Sequence, residues 1–398
     1  MKTLNRINLF KGHNQAIWAI ALAVLIGLTA TAGADNPGNL DDRDITLAIE
    51  TELWVDEAVP SHLINVETSD GIVILSGSID NILARDRAEA VCKTVKGVRG
   101  VINNIVVKPV MRSDQQINDD ITDALLNDPA AESFEVDVEV DQGKVMLAGT
   151  VDSWQEKQLA GQVAKGVRGV TEVDNLINID YPEKRSDYEI KQDILGHLES
   201  DVWVDDANIQ VSVMNGNVTL EGTVGSAAEK KWARFDAWVY GTKDVNVDSL
   251  EIEWFAKDPM KRKKEYEDIS DEEIENAIKD AFFYDPRIFS FGLEVAVDNG
   301  VATLAGEVDN LKAKEAAEVD AENVLGVWRV RNHIRVRPEA ELTDAELENK
   351  VKDAILRDPY LELYEFDINA RNGRVYLYGH VNSMFEKEHA EDIVERVN

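Results

Sequence analysis

The side chains with catalytic or metal-binding potential are few and scattered. The 398 residues hold six histidines and one cysteine. His62, His197, His333, His380 and His389 share no repeated placement, and His13 lies in an N-terminal leader. A metal centre or an acid–base pair needs its groups brought to one place. Only His380 and His389 are close enough to share a unit, and their positions read as strand and helix surface. There is no phosphate-cradling G-x-x-x-x-G-K-[ST] run and no G-x-S-x-G elbow. Acid pairs such as Asp119-Asp120, Asp205-Asp206 and Glu272-Glu273 fall in loops or in first helical turns, where they complement the helix dipole. Cys92 sits among Ala88, Val91 and Val95 at helical spacing, with only Lys93 and Lys96 as basic neighbours. That predicts a buried thiol rather than a reactive one, and a lone cysteine has no internal disulfide partner. The residues imply no catalytic group, no metal site and no cofactor.

Charge narrows the partners. The chain carries 42 Lys and Arg against 76 Asp and Glu, a net of −34. This balance repels nucleic acid, and at long range it also opposes an anionic lipid surface. One stretch departs from it: Trp254-Phe255-Ala256-Lys257-Asp258-Pro259-Met260-Lys261-Arg262-Lys263-Lys264. Trp254, Phe255, Lys257, Lys261, Arg262, Lys263 and Lys264 form either a solvated linker or a docking point for an anionic membrane or an acidic neighbouring unit. At ~1 kcal/mol per basic residue near an anionic surface, such a run holds the chain only if the acidic remainder faces away.

The elements that would position these groups repeat five times. Turn glycines Gly71, Gly143, Gly216, Gly300 and Gly373 are each followed six residues later by Gly77, Gly149, Gly222, Gly306 and Gly379. The steps between units are 72, 73, 84 and 73 residues, so the fold question reduces to one small unit. Thirty residues before each turn stand Asp41, Ser113, Ser186, Ser270 and Thr343, all helix N-cap types. Gln116, Glu189, Glu273 and Glu346 complete capping boxes. Ile117, Ile121, Ala124 and Leu125 give the apolar stripe of a first helix, ended by Asp-Pro at Asp128, Asp285 and Asp358.

Strict alternation follows, as in Val136, Val138 and Val140 between Glu135, Asp137 and Glu139, so one face is buried and one is wet. The Asp-Gly and Asn-Gly turns suit a positive-φ hairpin. On the return strand the second glycine points inward, where a helix packs too close for a Cβ or the strand bends. Asn81, Ser153, Ser226, Asn310 and Ser383 then cap a second helix. Gly97, Gly169, Gly241 and Gly326 are expected at its C′ position. A last strand closes the unit, as in Val101, Asn103, Ile105 and Val107, and is degenerate in repeat three around Val245 to Ile252. The reading is α+β: tandem αββαβ units, each a three-stranded mixed sheet with two helices on one face. On the wet faces, Tyr376, Tyr378, Ile72 and Ile74 either pack between repeats, the favoured reading, or hold unfolded segments.

The ends carry their own signals. Residues 1–34 read as a signal peptide: Lys2, Arg6 and Lys11, an apolar run from Ile17 to Leu28, then Ala30-Thr31-Ala32 and Ala32-Gly33-Ala34. Cleavage after Ala34 is expected, with a retained anchor as the alternative. Without the leader the net charge is −37. Repeat five stops at Asn398, before its closing glycine and last strand, so a fragment of a longer chain is expected. An incomplete unit would leave an open strand edge.

Together the caps, the hairpin, the paired glycines and the closing run resemble the BON family (bacterial OsmY and nodulation domain). The closing run is clearest in Gly97-Val98-Arg99-Gly100-Val101-Ile102-Asn103-Asn104-Ile105-Val106-Val107 and in Gly326-Val327-Trp328-Arg329-Val330-Arg331-Asn332-His333-Ile334-Arg335-Val336. The resemblance covers 41–110, 113–181, 186–254, 269–337 and 342–398, with 255–268 as a basic linker. It implies the αββαβ fold, a periplasmic or envelope setting, stress protection, phospholipid binding and chaperone-like contact with exported proteins, and it brings no catalytic residues. The expectation is a non-catalytic periplasmic protein that binds envelope proteins or unfolded exported clients, with anionic phospholipid as the alternative partner.

Overall fold

A computed structural model describes residues 41–397 apart from 129, 132–134, 183, 254–268, 289–291, 339–341 and 362–363. The expected signal peptide and the basic stretch from Trp254 to Lys264 lie outside the described residues.

Unit 1 shows the plan. Helix α1 (Asp42–Val55) leads through a short turn to β1 (Ile64–Ser69), β2 (Ile72–Ile79), α2 (Ile82–Thr94) and β3 (Gly100–Val107). β1 pairs antiparallel with β2, and β2 pairs parallel with β3, giving the order β1-β2-β3. Unit 2 repeats it with α3 (Asp114–Asn127), β4 (Glu135–Asp141), β5 (Lys144–Val151), α4 (Trp154–Lys165), β6 (Glu172–Asn175) and β7 (Asn178–Ile179). Unit 3 has α5 (Asp187–Ser200), β8 (Ile209–Met214), β9 (Asn217–Val224), α6 (Ala227–Asp236), β10 (Asp244–Asn246) and β11 (Leu250–Ile252). Unit 4 has α7 (Asp271–Tyr284), β12 (Leu293–Asp298), β13 (Val301–Val308), α8 (Leu311–Glu322), β14 (Arg329–Asn332) and β15 (Arg335–Val336). Unit 5 has α9 (Asp344–Arg357), β16 (Asp367–Arg371), β17 (Arg374–Tyr378) and α10 (Met384–Glu395).

The caps form as their residue types dictate. Ser113, Ser186, Ser270 and Thr343 close reciprocal capping boxes with Gln116, Glu189, Glu273 and Glu346. Asn81, Ser153, Ser226, Asn310 and Ser383 each accept a backbone N–H in the first turn of the second helix. Both helices of a unit share one core with the inner sheet face. In unit 2, Ile117, Ile121 and Leu125 of α3 meet Val145, Leu147 and Val151 of β5 and Ala160 and Ala164 of α4. Burying a side chain such as Ile121 contributes about 1.5–3 kcal/mol.

The structure corrects three expectations. First, the strand glycines do not face a helix. At Gly149, φ is +135°, and a Cβ would overlap the Glu135 carbonyl oxygen of the neighbouring strand. Gly77, Gly222 and Gly306 meet the same carbonyl position, so the bend of the strand against its hairpin partner requires glycine. Gly379 differs: its Cβ would meet the Phe366 ring. Second, the second helices end before Gly97, Gly169, Gly241 and Gly326; their C-caps are Val95, Gly166, Ala237 and Asn323. The four glycines instead make a left-handed turn into the last strand, with φ between +90° and +97°.

Third, the last strand is broken in units 2 and 4, and not only in unit 3, where it was expected to be degenerate. In units 2 and 4 the break falls beside an asparagine latch, which the continuous β3 of unit 1 also has at Asn103. Asn175 donates to the Lys157 carbonyl of α4 at 2.7 Å and accepts from the Ile177 N–H at 3.3 Å. Asn332 does the same with Lys314 and Ile334. Unit 3 has Val247 there, and Lys230 reaches the Leu250 carbonyl instead at 2.6 Å. Among the described residues the sheet of unit 5 has two strands, and its buried core is Val351, Ile355, Leu361 and Ala390.

Candidate functional site

The polar groups that do repeat are used by the scaffold. The residue after each first cap is an aspartate: Asp42, Asp114, Asp187, Asp271 and Asp344. Each carboxylate accepts both N–H groups of its unit's hairpin turn; for Asp114 these are Gln142 and Gly143, both at 3.0 Å. The same pair is taken by Asp42, Asp187, Asp271 and Asp344 at 2.7–3.0 Å. These bonds hold the Asp344 carboxyl below the usual carboxylate range. A second set, Asp56, Asp128, Asp201, Asp285 and Asp358, closes the first helices, and each accepts the N–H two residues on. Sequence reading missed the first set and took Asp128, Asp285 and Asp358 of the second only as Asp-Pro helix stops, although an aspartate at the same offset in all five units was the available signal.

The titratable candidates are likewise placed in structural roles. His62, His333 and His380 are exposed and far apart in the fold plan. His389 is not on the surface as expected: its Nε2 lies 2.7 Å from the buried Asp358 carboxylate, and its ring stacks on Phe385. His197 is half-buried edge-on to Tyr284, and desolvation pushes its pKa down. Cys92 is fully buried, which pushes its thiol up to about 12 and removes its nucleophilic form. Burial, reinforced by Asp201, keeps Asp236 protonated far above the usual carboxylate range. Glu315, Asp392 and Glu395 lie between α8 and α10 with carboxylate oxygens within 4.8 Å of one another. Lys312 already bonds Glu315 at 2.7 Å and Asp392 at 3.3 Å, so the cluster reads as an ion-pair network.

Helices and aromatics join the units. The most extensive inter-unit packing is helix on helix: α2 with α6, α5 with α7, and α8 with α10. Trp154 of unit 2 stacks on Trp238 of unit 3, and Tyr240 meets Phe283 and Tyr284 of unit 4. Units distant in sequence also touch: the Arg168 N–H of unit 2 donates to the Arg357 carbonyl of unit 5 at 2.8 Å, and the Tyr360 hydroxyl of unit 5 to the Ala58 carbonyl of unit 1 at 3.3 Å. The wet sheet faces take little part in this, so Tyr376 and Tyr378 remain 44% and 59% exposed rather than packing between repeats.

Those outer faces are where the units differ. In unit 1, Ile72 and Ile74 of β2 stand beside Gly100 and Ile102 of β3, with Val106 further along; Ile102 and Val106 are 48% and 53% exposed. In unit 2 the same face carries Glu135, Asp137, Glu139, Asp141, Glu172 and Asp174. Unit 3 shows Gln210, Ser212, Thr219 and Asn246. In unit 4, Arg329, Arg331, His333, Arg335 and Arg337 are all exposed, while Val330, Asn332, Ile334 and Val336 turn inward. A search for contiguous basic residues finds 257–264 and passes over this row, because alternation with core residues dilutes it along the chain. The strand period of two is the signal that exposes it. A cleft of about 290 Å³ between units 2 and 5 is open and lined by mixed charges such as Asp123, Asp128, Lys350 and Arg357. Among the described residues no helix is long and apolar enough to cross a membrane.

Comparison with known proteins agrees with this repeat plan. The family model described as BON domain matches residues 41–109, 113–181, 186–253, 270–338 and 343–398. The chain is 31% identical over 157 residues to Osmotically-inducible protein Y of Escherichia coli, covering 37% of this chain and 78% of the relative. It is 30% identical over 135 residues to Outer membrane lipoprotein DolP of Haemophilus influenzae, covering 33% of this chain and 69% of the relative. Among solved structures, the C-terminal domain of CdsD, a structural protein of the type III secretion system of Chlamydia trachomatis, aligns with 54% of this chain and all of that chain. At 16% identity and a TM-score of 0.15, that likeness says nothing about how the units are arranged.

Proposed function

The chain belongs to the BON domain family, and from that premise we propose a non-catalytic, envelope- and stress-associated protein of the periplasm that binds exported polypeptides in a chaperone-like or scaffolding role. The observation that carries this reading is the outer sheet face of unit 1. Ile72, Ile74 and Ile102 are contiguous across β2 and β3, with Ile102 exposed and Ile72 and Ile74 half-buried, whereas the outer faces of units 2 and 4 are strongly charged. An exposed apolar patch rimmed by polar groups such as Glu67 and Asn104 marks a contact surface for another polypeptide. Tyr376 and Tyr378 of unit 5 offer a second, aromatic contact. Weak contacts on linked units add through effective concentration. Kinship with an osmotically inducible protein and an outer-membrane lipoprotein supports the envelope and stress setting, as does the expected leader.

The test is suppression of aggregation of a reduced, unfolding secreted protein followed by light scattering. The native chain is expected to suppress it, and the double variant Ile74→Ser/Ile102→Ser to lose most of that effect without a change in melting temperature. Equal suppression by both proteins would refute the assignment of the face. A second reading, contact with an anionic phospholipid surface, is supported by the basic stretch at 257–264 and by the kinship with an outer-membrane lipoprotein. Flotation with anionic and with neutral vesicles, at low and moderate salt, separates the two.

A further inference from the structure

We propose that the arginine row of unit 4 docks on the acidic outer face of unit 2 in a second copy of this chain. Arg329, Arg331, Arg335 and Arg337 project from β14, β15 and the residue just beyond, with His333 between them, and all five are exposed. Among the described residues only Arg337 of the four arginines has an ion pair, with Glu307 at 3.0 Å. Keeping a sheet edge from pairing needs a charge or two, and four arginines of one sign on one face exceed that. Arginine presents a planar fork of donors that matches a carboxylate in two bonds, which suits a row built to meet carboxylates.

The matching surface lies on the same chain. Glu135, Asp137, Glu139 and Asp141 occupy successive outward positions of β4, and Glu172 and Asp174 lie on the same face on β6, across β5 and antiparallel to β4. Lys144, paired with Glu172 at 2.7 Å, is the one basic residue among them. Both rows have the period of a β-strand, about 6.7 Å between like-facing side chains, so charges two residues apart on one face meet charges two residues apart on the other. Unit 1 offers the arginines an apolar face, and unit 3 sets Glu221, Asp244 and Glu251 singly among neutral residues, so the continuous acidic row of unit 2 is the most complementary surface among the described sheets. The net charge of −34 opposes encounter at long range. With a Debye length of about 10 Å at ~0.1 M salt, only the facing rows are felt once the copies approach.

Every copy carries both surfaces and the two differ, so the contact is head-to-tail. It builds open chains rather than a closed dimer unless the rotation happens to close a ring.

Sedimentation velocity on the full chain at ~0.1 M and at ~0.5 M salt tests this. The native protein is expected to form dimers and longer species at the lower salt and to fall to monomer at the higher. Arg329→Gln/Arg331→Gln/Arg335→Gln and, separately, Glu135→Gln/Asp137→Asn/Glu139→Gln are each expected to weaken association about tenfold or more. A chain that combines Arg329→Glu/Arg331→Glu/Arg335→Glu with Glu135→Arg/Asp137→Arg/Glu139→Arg restores it. A native protein that stays monomeric at both salts overturns the proposal, as does an arginine variant that associates like the native chain. Arginine-dependent flotation with anionic vesicles by a monomeric protein would assign the row to a membrane and overturn it equally.

Discussion

Units 1 and 4 are built alike on the inside and differ on the outside. Both have the αββαβ order, a hairpin turn held by an aspartate from the first helical turn, a strand glycine pressed against the neighbouring carbonyl, and an asparagine latch to the second helix. Their cores are close in size and kind, Ile45, Ile49 and Leu53 in one and Ile274, Ile278 and Phe282 in the other. Yet the outer face of unit 1 shows Ile72, Ile74 and Ile102, and that of unit 4 shows four arginines. Because side chains alternate along a strand, the inward half is constrained by packing while the outward half is free to change. What the repeats share is therefore the fold, and what they do is written on the faces they do not share.

Substitutions inside the shared scaffold would blur that comparison most, since they should harm any unit alike. Gly149→Ala combines a positive φ with a backbone overlap and is expected to destabilise unit 2 by about 3 kcal/mol or more, as read by chemical denaturation. Gly77→Ala should do the same to unit 1; if either were neutral, the close approach would be wrong. Next comes the turn clamp. Asp114→Ala leaves the Gln142 and Gly143 N–H groups without their carboxylate, a loss of about 1–3 kcal/mol. Faster amide exchange at those two residues would locate the effect.

Changes on the outer faces should leave stability within about 0.5 kcal/mol and move binding instead. Ile74→Ser/Ile102→Ser is expected to abolish client protection and keep self-association, and the arginine-to-glutamine set to do the reverse. A variant that lost both functions with an unchanged melting curve would break the division between the two faces.

The smallest effect is electrostatic and lies between units 4 and 5. Burial, and secondarily Glu315, raises the Glu395 carboxyl from 4.5 to about 7. The folded chain thus holds this proton at pH values where the unfolded chain has released it. Its contribution is greatest below about 4.5 and is lost as pH rises to about 7. Solvent screening limits the effect to about 1 kcal/mol. Glu395→Gln should therefore stabilise the chain at pH 8 and change little at pH 4.5, which paired thermal melts would show.

Much of the scaffold was legible because its signals are local. Ser113 with Gln116, the Asn299-Gly300 turn and the alternation from Val136 to Val140 each act within a few residues. The neighbour of Gly149 was not legible, since that carbonyl belongs to Glu135 on the paired strand. Nor were the contacts between units, such as Arg168 with Arg357, which depend on how whole units pack. The His389–Asp358 pair was hidden for the same reason: the two residues stand on different helices. On the candidate faces, Ile72 and Ile74 were visible through strand period, whereas the arginine row was masked by the core residues interleaved with it.

The central claim is that exported polypeptides bind the apolar outer face of unit 1. Its most direct test is a photo-crosslinking amino acid placed singly at positions 102, 146 and 331, the outer faces of units 1, 2 and 4, in the full chain mixed with an unfolded secreted protein. The account predicts client crosslinks from position 102 and few from 146 or 331. Equal crosslinking from all three positions, or none from 102, would contradict it.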